Sequence, residues 1–234
     1  MIETDVSTCG DGTLVVFHPK MESKHLMYDG SITEQPWDVV KTLRYVNMNR
    51  AATQFGLLKL DELLETFKGR CYINIDKFWG NPAAISQAIR RHNMCDQILV
   101  KSRPTEEVLR ILEDVAPELP FMPVIYEDPE PLTFLAGKNI NYVGVEVVFE
   151  QETSPLATPE FIENLHKQGK LVWVNSLIYN NKKQLSGGHS DDTAFTVSRD
   201  YGWGWLVDRG FDIIQTDWPG MLISYLKESG KYYR

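Results

Sequence analysis

Ile2-Glu3-Thr4-Asp5-Val6, followed by Asp11-Gly12-Thr13-Leu14-Val15-Val16-Phe17-His18, puts two carboxylates and an imidazole at the ends of two short apolar runs joined by a glycine-containing turn. Side chains alternate along a strand, so Glu3 and Asp5 leave the same face. Two carboxylates converging on one point repel each other unless a cation or a proton sits between them. His18, able to give or take a proton near neutral pH, completes the minimum kit for metal-assisted hydrolysis. The bland alternative is an edge strand with solvated acids, but the period-2 pairing beside a histidine favours a site.

Working outward, strands are expected at Ile2–Val6, Thr13–Phe17, Cys71–Ile75, Gln97–Lys101, Phe121–Tyr126, Tyr142–Val148, Leu171–Asn175 and Asp212–Thr216. Amphipathic segments lie between them at Leu60–Phe67, Asn81–Arg91, Thr105–Ala116, Pro159–Gln168 and Met221–Lys227. From Cys71 onward the strand-to-strand period is about 25 residues, the spacing of repeated βα units on a parallel sheet. Pro82 and Pro159 stand where first helical turns begin, and Thr158 can cap the second of these helices. No low-complexity linker divides the chain, so residues 1–234 read as one domain. With Thr13–Phe17 as the return arm of a hairpin, seven barrel-type strands remain, whereas a (β/α)₈ barrel has eight. The expectation is that the eighth lies upstream of Met1, or that a homodimer or swapped arrangement fills the gap.

Two excursions interrupt the period, from Pro19 to Gly56 and from Ser176 to Trp205, each after a strand's C-terminal end, where barrel enzymes build their sites. In the second, His189, Asp191 and Asp192 read as a solvated loop. The net charge of −8 and the absence of a basic run argue against nucleic acid as partner. Three scattered cysteines read as reduced thiols. No apolar run reaches the roughly 18 residues of a transmembrane span. No signal peptide is legible, which favours a cytoplasmic location.

Glu3-Thr4-Asp5-Val6, Asp11-Gly12, Val15-Val16-Phe17-His18, Asn74-Ile75-Asp76-Lys77, Val172-Trp173-Val174-Asn175 and Gln215-Thr216-Asp217-Trp218-Pro219 occur in that order. As an ordered set they resemble the glycerophosphodiester phosphodiesterase family over essentially the whole chain. The resemblance implies a TIM (β/α)₈ barrel of the phospholipase-C-like phosphodiesterase type, here without its first βα unit. It implies hydrolysis of small-molecule glycerophosphodiesters to glycerol 3-phosphate and an alcohol, with a bound Ca²⁺ or Mg²⁺ as cofactor. Glu3 and Asp5 match the first two metal ligands, and Asp76 matches a third that is usually glutamate. An all-oxygen set suits a hard cation. His18 matches a histidine acting as general acid toward the leaving alcohol.

The departures are specific. The family's lysine two residues after the third ligand is replaced by Phe78, with Lys77 one place early, so alternation turns Lys77 away unless the strand ends or bulges there. Lys101, at the tip of the next strand, is placed to supply that positive charge to a phosphate oxygen. Pro19 follows His18 where an aspartate is usual, removing a carboxylate partner of the ring. Glu146, Trp173, Asn175 and Trp218 are expected as walls of a substrate pocket, with core packing the alternative for the tryptophans. Asp217 reads as a structural anchor. A second histidine with an adjacent arginine, which the family carries ahead of the Glu-x-Asp pair, has no counterpart before Glu3. Losing half of an acid–base pair costs on the order of 10²–10⁴-fold in rate, so impaired turnover is expected. The rivals are a phosphatidylinositol- or sphingomyelin-type phospholipase, for which Trp203 and Trp205 leave room, and a metal- and phosphodiester-binding protein without turnover.

Overall fold

The computed structural model describes residues 1–179 and 183–232. Its strands are β1 (Ile2–Thr8), β2 (Leu14–Val16), β3 (Leu58–Lys59), β4 (Ile73–Asp76), β5 (Ile98–Ser102), β6 (Phe121–Tyr126), β7 (Gly144–Val148), β8 (Leu171–Asn175) and β9 (Ile213–Gln215). All eight expected strands form, each within two residues of its expected ends. The two-residue β3 is additional, too short to carry an alternation signal. The five expected helices occur at Leu60–Phe67, Pro82–Arg91, Glu106–Val115, Pro159–Lys167 and Pro219–Glu228. Their starts follow local chemistry. Asn81 Oδ1 accepts the Ala84 N–H with Pro82 in the first turn, and Thr158 Oγ1 accepts the Phe161 N–H with Pro159 in the first turn. Among the described residues, no helix is long and apolar enough to cross a membrane.

The chain folds as two compact units. The first comprises residues 1–101, 110–120 and 139–141; the second comprises residues 102–109, 121–138 and those from 142 onward.

In the first unit, β1 runs parallel to β4, and β4 parallel to β5. On the other side of β1, β2 pairs antiparallel with it and β3 with β2. The register sets Glu3 beside Asn74, Asp5 beside Asp76, and Asn74 beside Leu99. Alternation then sends Ile73, Ile75, Ile98 and Val100 to the opposite face, where all four are fully buried. Leu60, Leu64, Ile85 and Ile89 of the adjoining helices are buried as well. One face of this sheet is therefore apolar and packed while the other carries the acids. At the β1–β2 turn Gly12 takes a positive φ of 88°, and Asp11 accepts the N–H groups of Thr13 and Trp37. The 19–56 excursion closes over a small core that includes Phe17, Leu26, Ile32 and Val40.

In the second unit, β6, β7, β8 and β9 are parallel in that order. Ile125, Val145, Val147, Val172 and Val174 form one core with Ile162 and Leu165 of the Pro159–Lys167 helix. β7 is buried along its whole length. Between β6 and β7 the connection holds only a 3₁₀ segment, Glu130–Leu135, in place of an α-helix. Of the 176–205 excursion, residues 180–182 lie outside the described residues; the rest contains the short helix Asp191–Thr196 and a π-helical turn, Asp200–Gly204.

Gly144 opens β7 where a Cβ would lie 2.3 Å from the Leu171 carbonyl oxygen of β8. The obstacle is backbone, so the sheet itself would have to shift. Gly144→Ala is expected to destabilise the protein by about 1–3 kcal/mol, read as a lower denaturation midpoint in urea at unchanged slope.

Candidate functional site

Adjacent parallel strands at matched register bring Glu3, Asp5 and Asp76 together. One carboxylate oxygen from each lies within 4.8 Å of the other two. Opposite ligands of a Ca²⁺ ion stand about 4.6–5.2 Å apart, given its usual oxygen distances. The cluster is therefore of a size to close around a hard divalent cation, and its donors are all oxygen. Glu3 is partly open to solvent, yet loss of water around it pushes its carboxyl up to about 7. The charges of Asp5 and Asp76 add to that shift, and those of Lys101 and Lys77 oppose it.

Lys77 is where alternation fails. β4 ends at Asp76, and Lys77 takes left-handed backbone angles, φ 59° and ψ 16°. That turn swings its side chain back onto the acids: Nζ lies 2.5 Å from Asp76 Oδ2 and 3.4 Å from Asp5 Oδ1. The Lys77 N–H donates to Asp76 Oδ1 at 2.8 Å. Burial pushes the Asp76 carboxyl upward, but these hydrogen bonds outweigh it and hold the group below the usual carboxylate range. Lys101 stands on the same sheet face by register, its charge acts on both Glu3 and Asp76, and its carbonyl accepts the Trp79 indole N–H.

His18 sits two residues past the end of β2, exposed, with the Phe17 N–H bonded to the Asp5 carbonyl of the neighbouring strand. Its ring does not hydrogen-bond to the three carboxylates. Nδ1 lies 2.8 Å from the Pro19 carbonyl oxygen. A carbonyl only accepts, so Nδ1 carries a proton and Nε2 is the nitrogen open to other chemistry. Pro19 thus replaces a side-chain carboxylate with its own backbone oxygen as the group that orients the ring.

The expected pocket residues of the second unit divide. Glu146, Trp173 and Asn175 are buried on the sheet face opposite the helices, with Glu146 and Trp173 in register and the Asn175 amide donating to Glu146 Oε1 at 2.6 Å. Trp218 instead lies half exposed at the start of the last helix, edge-on to Phe195 at 5.2 Å. A separate cleft of about 670 Å³, lined by Arg103, Leu109, Tyr126 and Phe134 among others, contains none of the expected site residues.

The 176–205 excursion corrects the expectation of a solvated loop at His189 and Asp191, while Asp192 is exposed. His189 is fully buried, stacked on Trp205 at 3.9 Å, with Nε2 3.0 Å from Glu152 and Nδ1 facing the Tyr201 carbonyl. Asp191 is also buried and gathers Ser176, Trp203, Thr216 and the Asp217 N–H around its carboxylate. Two successive glycines, Gly187 and Gly188, both at positive φ, let the chain turn inward there. Trp203 is fully buried and Trp205 is half-buried, so neither stands on the surface as a membrane-facing rim requires.

One residue escaped the sequence reading. Asn74 is 1% exposed, shares the face of Glu3, Asp5 and Asp76, and has no hydrogen-bond partner at either amide atom. Buried amides are normally satisfied, so an orphaned pair beside the acids fits a site for an ion with its bound water. The period-2 step from Asp76 back to Asn74 was the available signal.

Comparisons with known proteins bear on the fold. A family model described as a domain of unknown function matches residues 121–226. No curated protein matches the sequence. Among solved structures, a glycerophosphoryl diester phosphodiesterase from Parabacteroides distasonis superimposes with a TM-score of 0.76 at 16% identity, covering 97% of this chain and 75% of that one. A glycerophosphodiester phosphodiesterase from Agrobacterium tumefaciens gives 0.67 at 21%, covering 95% and 85%. An Oleispira antarctica phosphodiesterase, solved with its product sn-glycerol-3-phosphate, gives 0.67 at 18%, covering 96% and 84%. The chain accordingly has the α/β, TIM-barrel-type fold of these phosphodiesterases.

Leucine shares the branched outline of asparagine but leaves no polar atom unsatisfied. Asn74→Leu is therefore expected to raise stability by about 1–3 kcal/mol, measured as a higher melting temperature; a lower one would show that the amide is satisfied in solution.

Proposed function

We propose that this protein is a divalent-cation-dependent phosphodiesterase that hydrolyses glycerophosphodiesters to glycerol 3-phosphate and an alcohol. The observation that carries the proposal is the meeting of Glu3, Asp5 and Asp76 within 4.8 Å at paired strand positions, in a fold similar to that of glycerophosphodiester phosphodiesterases. Glu3, Asp5 and Asp76 would hold Ca²⁺ or Mg²⁺, which when bound would supply a positive charge to polarise a phosphoryl oxygen and orient the attacking group. Lys101 offsets the charge of the phosphate. His18 acts in its doubly protonated form, giving the Nε2 proton to the leaving alkoxide oxygen and becoming the neutral Nδ1–H tautomer, which stays bonded to the Pro19 carbonyl.

The sequence has five histidines. His92 is committed to Asp61, His166 to Asp212, and His189 to Glu152 and the Tyr201 carbonyl. His25 belongs to the 19–56 excursion, in the short helix Glu22–His25. His18 is thus the imidazole to which this reading assigns proton transfer.

Release of glycerol 3-phosphate from glycerophosphoethanolamine tests this reading. Activity is expected with added Ca²⁺ or Mg²⁺, abolished by chelator and by Asp5→Asn, and lowered about 10²–10⁴-fold by His18→Gln. Cation-dependent binding of the diester without product release would identify a binding protein instead. Turnover unaffected by chelator would refute the cation's role.

A further inference from the structure

Lys77 is the one side chain in this cluster whose backbone is placed against ordinary preference. A lysine at φ 59° is uncommon, and such conformations persist where surrounding structure enforces them. Phe78, the next residue, is fully buried and begins a 3₁₀ turn, so the chain cannot present a lysine from that position. The left-handed turn brings the ammonium of Lys77 between Asp76 Oδ2 and Asp5 Oδ1, while the Lys77 N–H holds Asp76 Oδ1. Both oxygens of Asp76 and one of Asp5 are thus engaged by a single residue.

We propose that the Lys77 ammonium is a tethered counter-ion that competes with a divalent cation for the oxygens of Asp5 and Asp76, and so sets the cation affinity of the site. This rests on the reading of Glu3, Asp5 and Asp76 as cation ligands. An ammonium satisfies two carboxylates with one charge but offers no open coordination position. A divalent ion draws on oxygens from all three acids, with the unpartnered Asn74 amide on the same face as a further polar group. For the ion to engage Asp76 side-on, Lys77 must release Oδ2 and swing its positive charge away. The consequence is a site of moderated affinity, in which cation binding is coupled to movement of one lysine side chain.

Calorimetric titration of the full chain with CaCl₂ and with MgCl₂ tests this, alongside melting temperatures with and without each salt. Lys77→Met removes the charge. Lys77→Asn does so with a residue that tolerates left-handed backbone, covering the case in which the methionine variant does not fold. Lys77→Arg retains the charge. The neutral variants are expected to bind cation roughly tenfold tighter or more, with a larger cation-induced rise in melting temperature, while Lys77→Arg stays near the parent. Equal affinity in parent and neutral variants, or weaker affinity in the latter, overturns the role of Lys77 and leaves the ligand assignment standing. No cation binding by any of the four proteins at millimolar concentration overturns both.

Discussion

Like charges do not assemble unaided, and the placement of Glu3, Asp5 and Asp76 against their mutual repulsion is the constraint on which this site depends. The force that holds them lies on the other face of the sheet. Ile73, Ile75, Ile98 and Val100 are withdrawn completely from water, each contributing about 1.5–3 kcal/mol of burial. A register slip of one residue would exchange the two faces and expose those side chains, so the apolar face locks the acidic one in place. The carboxylate cluster is thus stabilised indirectly, by core packing that never touches it. What remains of the repulsion is answered locally: Glu3 takes up protons more readily than an ordinary glutamate, and lysine charges stand close by.

The cationic side of the site shows how a fold absorbs a shifted residue. A lysine one place early in an alternating strand should face the wrong way. Ending the strand at Asp76 and turning left-handed at Lys77 returns the ammonium to the acids within one residue. His18 follows a similar logic. The loss of a carboxylate neighbour is met by the Pro19 carbonyl, which fixes the ring tautomer. A carbonyl thus does the orienting that a side-chain carboxylate would otherwise do.

In the second unit, polar residues act as fasteners. Asp191 collects donors from the ends of β8 and β9 and from the π-helical turn, tying the long excursion to the strands it follows. His189, pressed against Trp205 and bonded to Glu152, closes the same segment. Buried networks of this kind order a chain only when fully satisfied. The histidine and aspartate that seemed to belong to a solvated loop are therefore what make the loop a folded structure.

Strands and helices were legible because they rest on local periodicity and on a few residue types with fixed backbone preferences: Pro82 and Pro159 in first turns, Thr158 as a cap. The pairing of Glu3 with Asp5 was legible for the same reason, since alternation is a property of one strand. Neighbouring strands, however, are brought into register by packing between residues far apart in sequence. Asp76 meeting Asp5, Asn74 left unsatisfied beneath the acids, Lys77 turning back, and His189 going under cover were all decided there. The sequence alone determined which chemical groups stood at the strand ends. Only tertiary structure decided which of them meet, because distance across a sheet depends on how the whole apolar surface is buried and not on any local preference.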